Sequence, residues 1–331
     1  MKKVKWGILS TAKIAQNAMI PAMNRAENAT VAGIASSSDK AAEIARKFNI
    51  PKSYNSYEEM LQDPEIDAIY IPLPNHLHKK WTIEAAKHGK HVLCEKPASL
   101  TAGETVEMVE FCQQNNVKFM EAFMYQFHPQ HARVREIIAS GEIGEVKFMR
   151  ASFSFFLSVR EGNIKMDPNK GGGCIYDVGC YGIHAIRNIL QMEPNEVYIQ
   201  AGIDSTYGVE TTALGFMKFQ NGVTASFDCS FDMAFRNEYE VFGTKGHIRV
   251  PKAFRPDNYG GEGLIIIQKD NVTREERSYG DLYKLEVEHF SNVILDGGEP
   301  AYSGENAIKN MRVVEACYES ISKGKPVGLK I

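Results

Sequence analysis

The 331-residue sequence predicts an α/β chain in two parts, a doubly wound parallel sheet over residues 1–122 and an α+β domain with a large, mostly antiparallel open sheet over residues 123–331. Three observations lead there. The length exceeds the roughly 250–300 residues at which one core stops growing. The first part alternates short apolar strands with helical stretches, the pattern of parallel crossover units. Beyond about Ala122 the texture changes to long alternating segments, as expected of half-buried strands.

Taken in order, Val4 to Leu9 is the first strand, Lys13 to Met23 a helix, Thr30 to Ala35 a strand and Ser38 to Phe48 a helix. Glu58 to Gln62 is a short helix, Ala68 to Ile71 a strand, Lys79 to His88 a helix closed by Gly89, and His91 to Cys94 a strand. Leu100 to Asn115 is helical, with Ser99 or Thr101 as cap, before the strand Val117 to Glu121. In the second part the helix Gln130 to Ser140 precedes the strand Glu145 to Phe156. Thr212 to Phe219 and Val223 to Phe231 flank Asn221-Gly222, a pair suited to the positive φ angles of a tight hairpin. Glu238 to Phe242 and His247 to Val250 form a second hairpin, Gly263 to Lys269 a further strand, and Ser303 to Lys323 a closing amphipathic helix.

Composition excludes several classes. A formal net charge of -3 leaves no footprint for nucleic acid or an anionic membrane. No apolar run approaches the roughly 20 residues that span a bilayer, and the amino end leads into a strand rather than a signal segment. The six cysteines are scattered without a C-x-x-C pair, which suits reduced thiols, so the expected location is cytoplasmic. His76-x-His78 and His128-x-x-His131 lack a nearby acid or cysteine to complete a ligand set, so no metal is expected.

The loop after the first strand, Gly7-Ile8-Leu9-Ser10-Thr11-Ala12-Lys13-Ile14-Ala15, has small residues where a dinucleotide fingerprint has glycines, with Ser10, Ala12 and Ala15 in those places. Such a loop lets the backbone approach a pyrophosphate and aims helix amides at its charge. Gly7, Ser10, Thr11, Ala12, Lys13 and Ile14 are therefore candidate cofactor residues of a Rossmann-type domain. The second strand ends in Ser36-Ser37-Ser38-Asp39-Lys40, with no acid at its tip. Hydroxyls and Lys40 there favour the 2′-phosphate of NADP, while Asp39 leaves NAD open or, with Ser38, simply caps the next helix. Pro72, Leu73, Asn75 and His76 follow the next strand, at the sheet edge where ligands bind. At the same edge Glu95-Lys96-Pro97 places an ammonium where a bound cofactor would lie. In Gly171 to His184, a helical reading puts Asp177 and Tyr181 on one face with His184 on the same stripe; a packed helix with a tied tyrosine is the plainer alternative.

Together these segments resemble the Gfo/Idh/MocA oxidoreductases, the family of glucose-fructose oxidoreductase and inositol dehydrogenase. The resemblance rests on the opening strand and loop, Pro74-Asn75-His76-x-His78, Glu95-Lys96-Pro97, Glu121-Ala122-Phe123-Met124-Tyr125-Gln126-Phe127-His128-Pro129 and the glycine-rich segment ending in Asp177 and Tyr181. Tyrosine at position 181 is similar to the branch of sugar 1-dehydrogenases, dimeric dihydrodiol dehydrogenases and nucleotide-sugar ketoreductases. Ser10 and Ala12 depart from the family's phosphate loop.

The resemblance implies an NAD(P)-dependent enzyme interconverting a carbinol and a carbonyl on a sugar, polyol or related cyclic substrate. It implies Lys96, Asp177 and Tyr181 around the reacting carbon, and a homodimer or homotetramer joined through the second-domain sheet. Glu95 and Lys96 join the candidate cofactor residues, and Tyr125, His128, Asn163, His184 and Arg187 are candidate substrate contacts or braces. The chemistry suits the set. A phenol with an ordinary pKa of about 10 needs an adjacent ammonium to take a hydroxyl proton near neutrality. The alternatives are a trans-dihydrodiol dehydrogenase or nucleotide-sugar ketoreductase within the enzyme class and, outside it, an NAD(P)-binding regulator.

Overall fold

A computed structural model describes residues 2–36 and 38–330, which fall into two compact units. Met1–Met124 with Tyr283–Met311 make the first and Tyr125–Leu282 with Arg312–Ile331 the second. The division is therefore not a single cut in the chain, because residues 283–311, assigned by sequence to the later domain, return to the first unit.

The first unit holds six strands, Val4–Leu9 (β1), Ala29–Ala35 (β2), Lys52–Tyr54 (β3), Ala68–Ile71 (β4), His91–Glu95 (β5) and Phe119–Ala122 (β6). They pair in the order β3-β2-β1-β4-β5-β6, all parallel, with the reversal between β1 and β4 that marks a dinucleotide crevice. β4 is buried along its whole length, as a sheet covered on both faces requires. Gly7 lies inside β1, where a Cβ would sit 2.9 Å from Met60 Sδ and 3.0 Å from Ile69 Cδ1, so its small size serves core packing rather than the phosphate loop. The predicted helix from Lys13 to Met23 is a π turn, Ala15–Met19, followed by an α-helix, Ile20–Arg25.

Missed in the sequence was the helix Leu282–Asp296. It closes the first unit through Ser291, whose hydroxyl accepts from Trp6 Nε1 at 3.2 Å, and through Phe290, 6.0 Å from the Trp6 ring centre. The same helix brings Glu286 into the interior. Its side chain is fully buried and neither carboxyl oxygen has a hydrogen-bond partner among the described residues. Burial, and then the charge of Glu95, push its pKa well above the ordinary 4.5.

The folded chain thus keeps a proton on Glu286 that the unfolded chain releases. Its stability falls as pH rises from about 4.5 toward the raised value. Glu286→Gln removes that dependence, and thermal melts across pH should show the variant ahead of the parent at about pH 8 by about 1–3 kcal/mol, with the gap closing toward acid. An equal gap at all pH values would contradict the assignment.

The second unit contains Val146–Phe156 (β7), Glu196–Ile203 (β8), Glu210–Lys218 (β9), Thr224–Ser230 (β10), Asp232–Gly243 (β11), Gly246–Val250 (β12), Glu262–Lys269 (β13), Val272–Tyr279 (β14) and Val327–Gly328 (β15). Their order is β14-β13-β12-β11-β7-β10-β9-β8-β15, antiparallel throughout except for β7 with β10. β9 and β10 form the predicted hairpin, but only Gly222 takes a positive φ, 83°; Asn221 does not. The Gly222 amide donates to Phe219 O at 3.1 Å, so the turn closes with glycine alone in the left-handed position. The helices Pro129–Ala139, Cys180–Leu190 and most of Gly304–Lys323 belong to the same unit.

Candidate active site

Within the first unit the carboxyl end of β5 is held at consecutive residues. Tyr70 Oη donates to Glu95 Oε1 at 2.6 Å, and the Lys96 amide reaches Glu95 Oε2 at 3.3 Å. His78, fully buried, places Nδ1 2.9 Å from Pro97 O and Nε2 2.8 Å from Leu73 O, which ties the Pro72–Asn75 turn to the lysine loop. The Ala98 amide donates to Glu121 Oε1 at 2.7 Å. Residues far apart in sequence thus meet at one place: Tyr70, His78 and Glu121 converge on the loop that presents the half-buried Lys96. Burial lowers the pKa of His78 while its carbonyl partners raise it, and in the neutral ring the single N–H donates to one of the two carbonyls.

The loop after β1 fits a dinucleotide. Ser10 has φ 121°, the region glycine favours, so serine reproduces the tight turn that the fingerprint's first glycine supplies. Its hydroxyl accepts from the Ala12 amide at 2.9 Å and its amide donates to Ala35 O at 2.9 Å, locking the loop to the tip of β2. Thr11, Ala12 and Ile14 are half-buried and Lys13 is exposed. At that tip Ser36 and Ser38 hydroxyls lie 3.0 Å apart, and Asp39 and Lys40 are exposed. Asp39 is the residue before the helix Lys40–Phe48 but makes no side-chain cap, so the capping alternative fails for it. Ser37 lies outside the described residues. Asn75 and His76 form a short 3-10 turn at the same edge.

In the second unit, the glycine-rich segment enters a π turn, Ile175–Gly179, that runs into the helix Cys180–Leu190. Asp177 sits on the π turn and Tyr181 one turn on. A π turn at such a point re-aims side chains without ending the helix. The Tyr181 ring is clamped by Phe153, Phe254 and Tyr125, with centroids 5.2, 5.7 and 5.8 Å away. Asp177 forms an ion pair with Lys165, from the loop after β7.

Glu210 of β9, which sequence reasoning missed, accepts the Ile175 amide at 2.9 Å and the Tyr318 hydroxyl at 2.8 Å, and so anchors the start of this segment. Neither residue type nor spacing marked Glu210 or Lys165, because their roles depend on contacts distant along the chain.

The five candidate substrate contacts or braces all have partners within the second unit. Tyr125 Oη and His184 Nδ1 are hydrogen-bonded at 2.5 Å in the interior, where burial raises the phenol's pKa and lowers the imidazole's, so both stay neutral. His128 caps the helix Pro129–Ala139 through the Gln130 amide at 3.3 Å and bonds Gly261 O at 3.0 Å. Arg187 is buried against Glu193, with its Nε 2.6 Å from the carboxylate. Asn163, half-exposed, caps the Lys165 amide at 3.1 Å and donates to Val159 O at 3.0 Å. Each of the five thus has at least one polar contact inside the unit. Among the described residues no group of three or more His, Cys, Asp or Glu side chains could hold a metal ion, and no helix is long and apolar enough to cross a membrane.

Comparison with known proteins gives consistent results. Residues 4–123 match the family described as an oxidoreductase family with NAD-binding Rossmann fold, and residues 131–249 match the GFO/IDH/MocA C-terminal domain. The chain is 37% identical to a D-xylose 1-dehydrogenase (NADP(+)) of Haloferax volcanii, over 98% of this chain and 99% of that one. It is 34% identical to a trans-1,2-dihydrobenzene-1,2-diol dehydrogenase of Mus musculus, over 76% of each. Among solved structures, a 3-ketoreductase from Actinomadura kijaniata in complex with NADP and TDP-benzene superposes with a TM-score of 0.91 at 26% identity, over 96% of this chain and 98% of that one.

Proposed function

From the premise that this chain belongs to the Gfo/Idh/MocA family and is an NAD(P)-dependent oxidoreductase acting on CH–OH groups, we propose that it is an NADP-preferring dehydrogenase of an aldose or closely related cyclic sugar. The first unit binds the dinucleotide and the second the substrate. The observation that carries the reading is the fixed tip of β5, where Tyr70, His78 and Glu121 hold the Lys96 loop at the edge of the sheet where dinucleotides bind. Support for NADP comes from the serine-rich tip of β2, which lacks a carboxylate at its end and carries an exposed Lys40. The D-xylose relative supports an aldose.

In this reading Lys96, Asp177 and Tyr181 serve one reacting centre. Bound at the Ser10 loop, a nicotinamide dinucleotide supplies the hydride acceptor or donor. Tyr181 takes the substrate's hydroxyl proton in oxidation and returns it in reduction. The Lys96 ammonium stabilises the tyrosinate and the developing alkoxide, and Asp177 orients charge about them. The aromatic clamp around Tyr181 keeps the phenol in place, and the neutral Tyr125–His184 pair behind it adds no competing charge. A panel of D-xylose, other aldoses, polyols and a trans-dihydrodiol, each with NADP or NAD, tests the proposal through the nicotinamide absorbance change. Turnover with an aldose, faster with NADP, is expected. Tight dinucleotide binding without any turnover would instead favour an NAD(P)-binding regulator.

We further propose a homo-oligomer in a reducing, cytoplasmic setting. All six cysteines are buried free thiols, which suits that compartment. On the face of the second-unit sheet, Leu214 and Phe216 of β9 are 55% and 39% exposed, and cross-strand pairs link them to Asp228 and Ser226 of β10 and to Gln200 and Tyr198 of β8. Ion pairs Arg150–Glu240 and Arg249–Glu238 continue the face. An apolar strip rimmed by ordered charges suits a self-complementary contact. Leu214→Asp combined with Phe216→Asp should reduce the light-scattering mass to that of one chain, whereas a parent protein already of monomer mass would remove the proposal.

A further inference from the structure

The family resemblance implies a task for Asp177 with Lys96, and within its own unit the carboxylate is ion-paired with a lysine. Lys165 ion-pairs with it from a 3-10 turn, Ile164–Met166, in the loop after β7. Long lysine side chains in exposed pairs contribute little, because holding them in one geometry costs conformational entropy and water screens the charge. Lys165 differs on both counts. Its side chain is 33% exposed and that of Asp177 17%. The ammonium also lies 5.5 Å from the centre of the Phe155 ring, within cation–π range, and that ring packs on Phe231 at 5.3 Å.

The backbone of Lys165 is fixed as well. Its amide donates to Asn163 Oδ1, and its carbonyl accepts the Gly173 amide at 2.8 Å. A Cβ on Gly172 would come 2.8 Å from that same carbonyl, so glycine there permits the approach. The loop and the glycine-rich segment are thus stitched together next to the pair they present.

We propose that Lys165 is a positioning residue for the reaction, holding Asp177 in one orientation and neutralising it so that the Lys96 ammonium acts on Tyr181 undiminished. This rests on the reading above, in which Lys96, Asp177 and Tyr181 serve one centre. The electrostatic logic is direct. A lone carboxylate beside a lysine and a phenol offsets the field that favours tyrosinate. With Lys165 included the four groups carry one net positive charge while the phenol is protonated, which favours loss of its proton.

The test uses the full-length enzyme with D-xylose and NADP, or the aldose with the highest kcat/KM in the panel. Lys165→Met should lower kcat about tenfold, corresponding to about 1.4 kcal/mol. The NADP dissociation constant should stay unchanged, and the solvent deuterium isotope effect on kcat should rise as proton transfer becomes slower. Lys165→Arg should retain most activity. Lys165→Cys treated with 2-bromoethylamine, which rebuilds an ammonium at that position while the six native cysteines are buried, should recover it.

Unchanged kcat in Lys165→Met, or a loss that neither arginine nor aminoethylation restores, overturns the proposal while a defective Tyr181→Phe still upholds the reading it rests on. A double-mutant cycle of Lys165→Met and Asp177→Asn in thermal melts tests the pairing apart from activity: measurable coupling supports it, and strict additivity overturns it.

Discussion

Tyr181→Phe should lower turnover by about 10²–10⁴-fold, the range of a lost acid-base group, while leaving NADP affinity as it is. The substitution removes one oxygen and nothing else. The ring remains between Phe153, Phe254 and Tyr125, and the side chain is only 5% exposed, so its shape is set by packing that phenylalanine preserves. Dinucleotide binding is assigned to the Ser10 loop and the β5 tip of the other unit. Steady-state kinetics and cofactor titration by fluorescence therefore separate the two effects. Full turnover in the variant would remove Tyr181 from the chemistry and leave the clamp as ordinary core.

The largest loss of stability is expected from Gly173→Ala. Gly173 has φ 114°, a region costly for any residue with a Cβ, and a Cβ there would stand 2.6 Å from Glu210 Cδ and closer still to its oxygens. Glu210 cannot simply swing aside, because its carboxylate accepts the Ile175 amide and the Tyr318 hydroxyl and is almost fully buried. Backbone strain and a displaced buried carboxylate together should cost about 3–5 kcal/mol, visible as a large fall in melting temperature. Since the segment from Gly173 leads into Asp177 and Tyr181, any folded fraction should also show reduced kcat. A variant melting with the parent would mean the segment relaxes freely, and Glu210 would then have no anchoring role.

How much of this could be read from the sequence follows from how local each signal is. The strands of the parallel sheet are short apolar runs between punctuating residues, so β1, β2, β4 and β5 were placed within a residue or so. Lys96, Asp177 and Tyr181 stood out because each lies in a compact motif. β14 did not, since Thr273-Arg274-Glu275-Glu276-Arg277 is a charged edge strand with no alternation to detect. The π turn at Asp177 leaves no mark in residue spacing. Glu210 and Lys165 are ordinary residues whose importance comes from partners 35 and 12 positions away along the chain, Ile175 and Asp177. Candidates such as Arg187 and His184 are polar residues near a motif, and sequence alone does not disclose that both are buried.

The return of residues 283–311 has a consequence for biosynthesis. Trp6 waits for Ser291, a partner 285 positions later, so the first unit cannot be completed until the helix carrying Ser291 has left the ribosome. A fragment ending near residue 124 would expose the surface that this late helix covers. Any chimera that exchanges nucleotide-binding halves between relatives must carry both pieces.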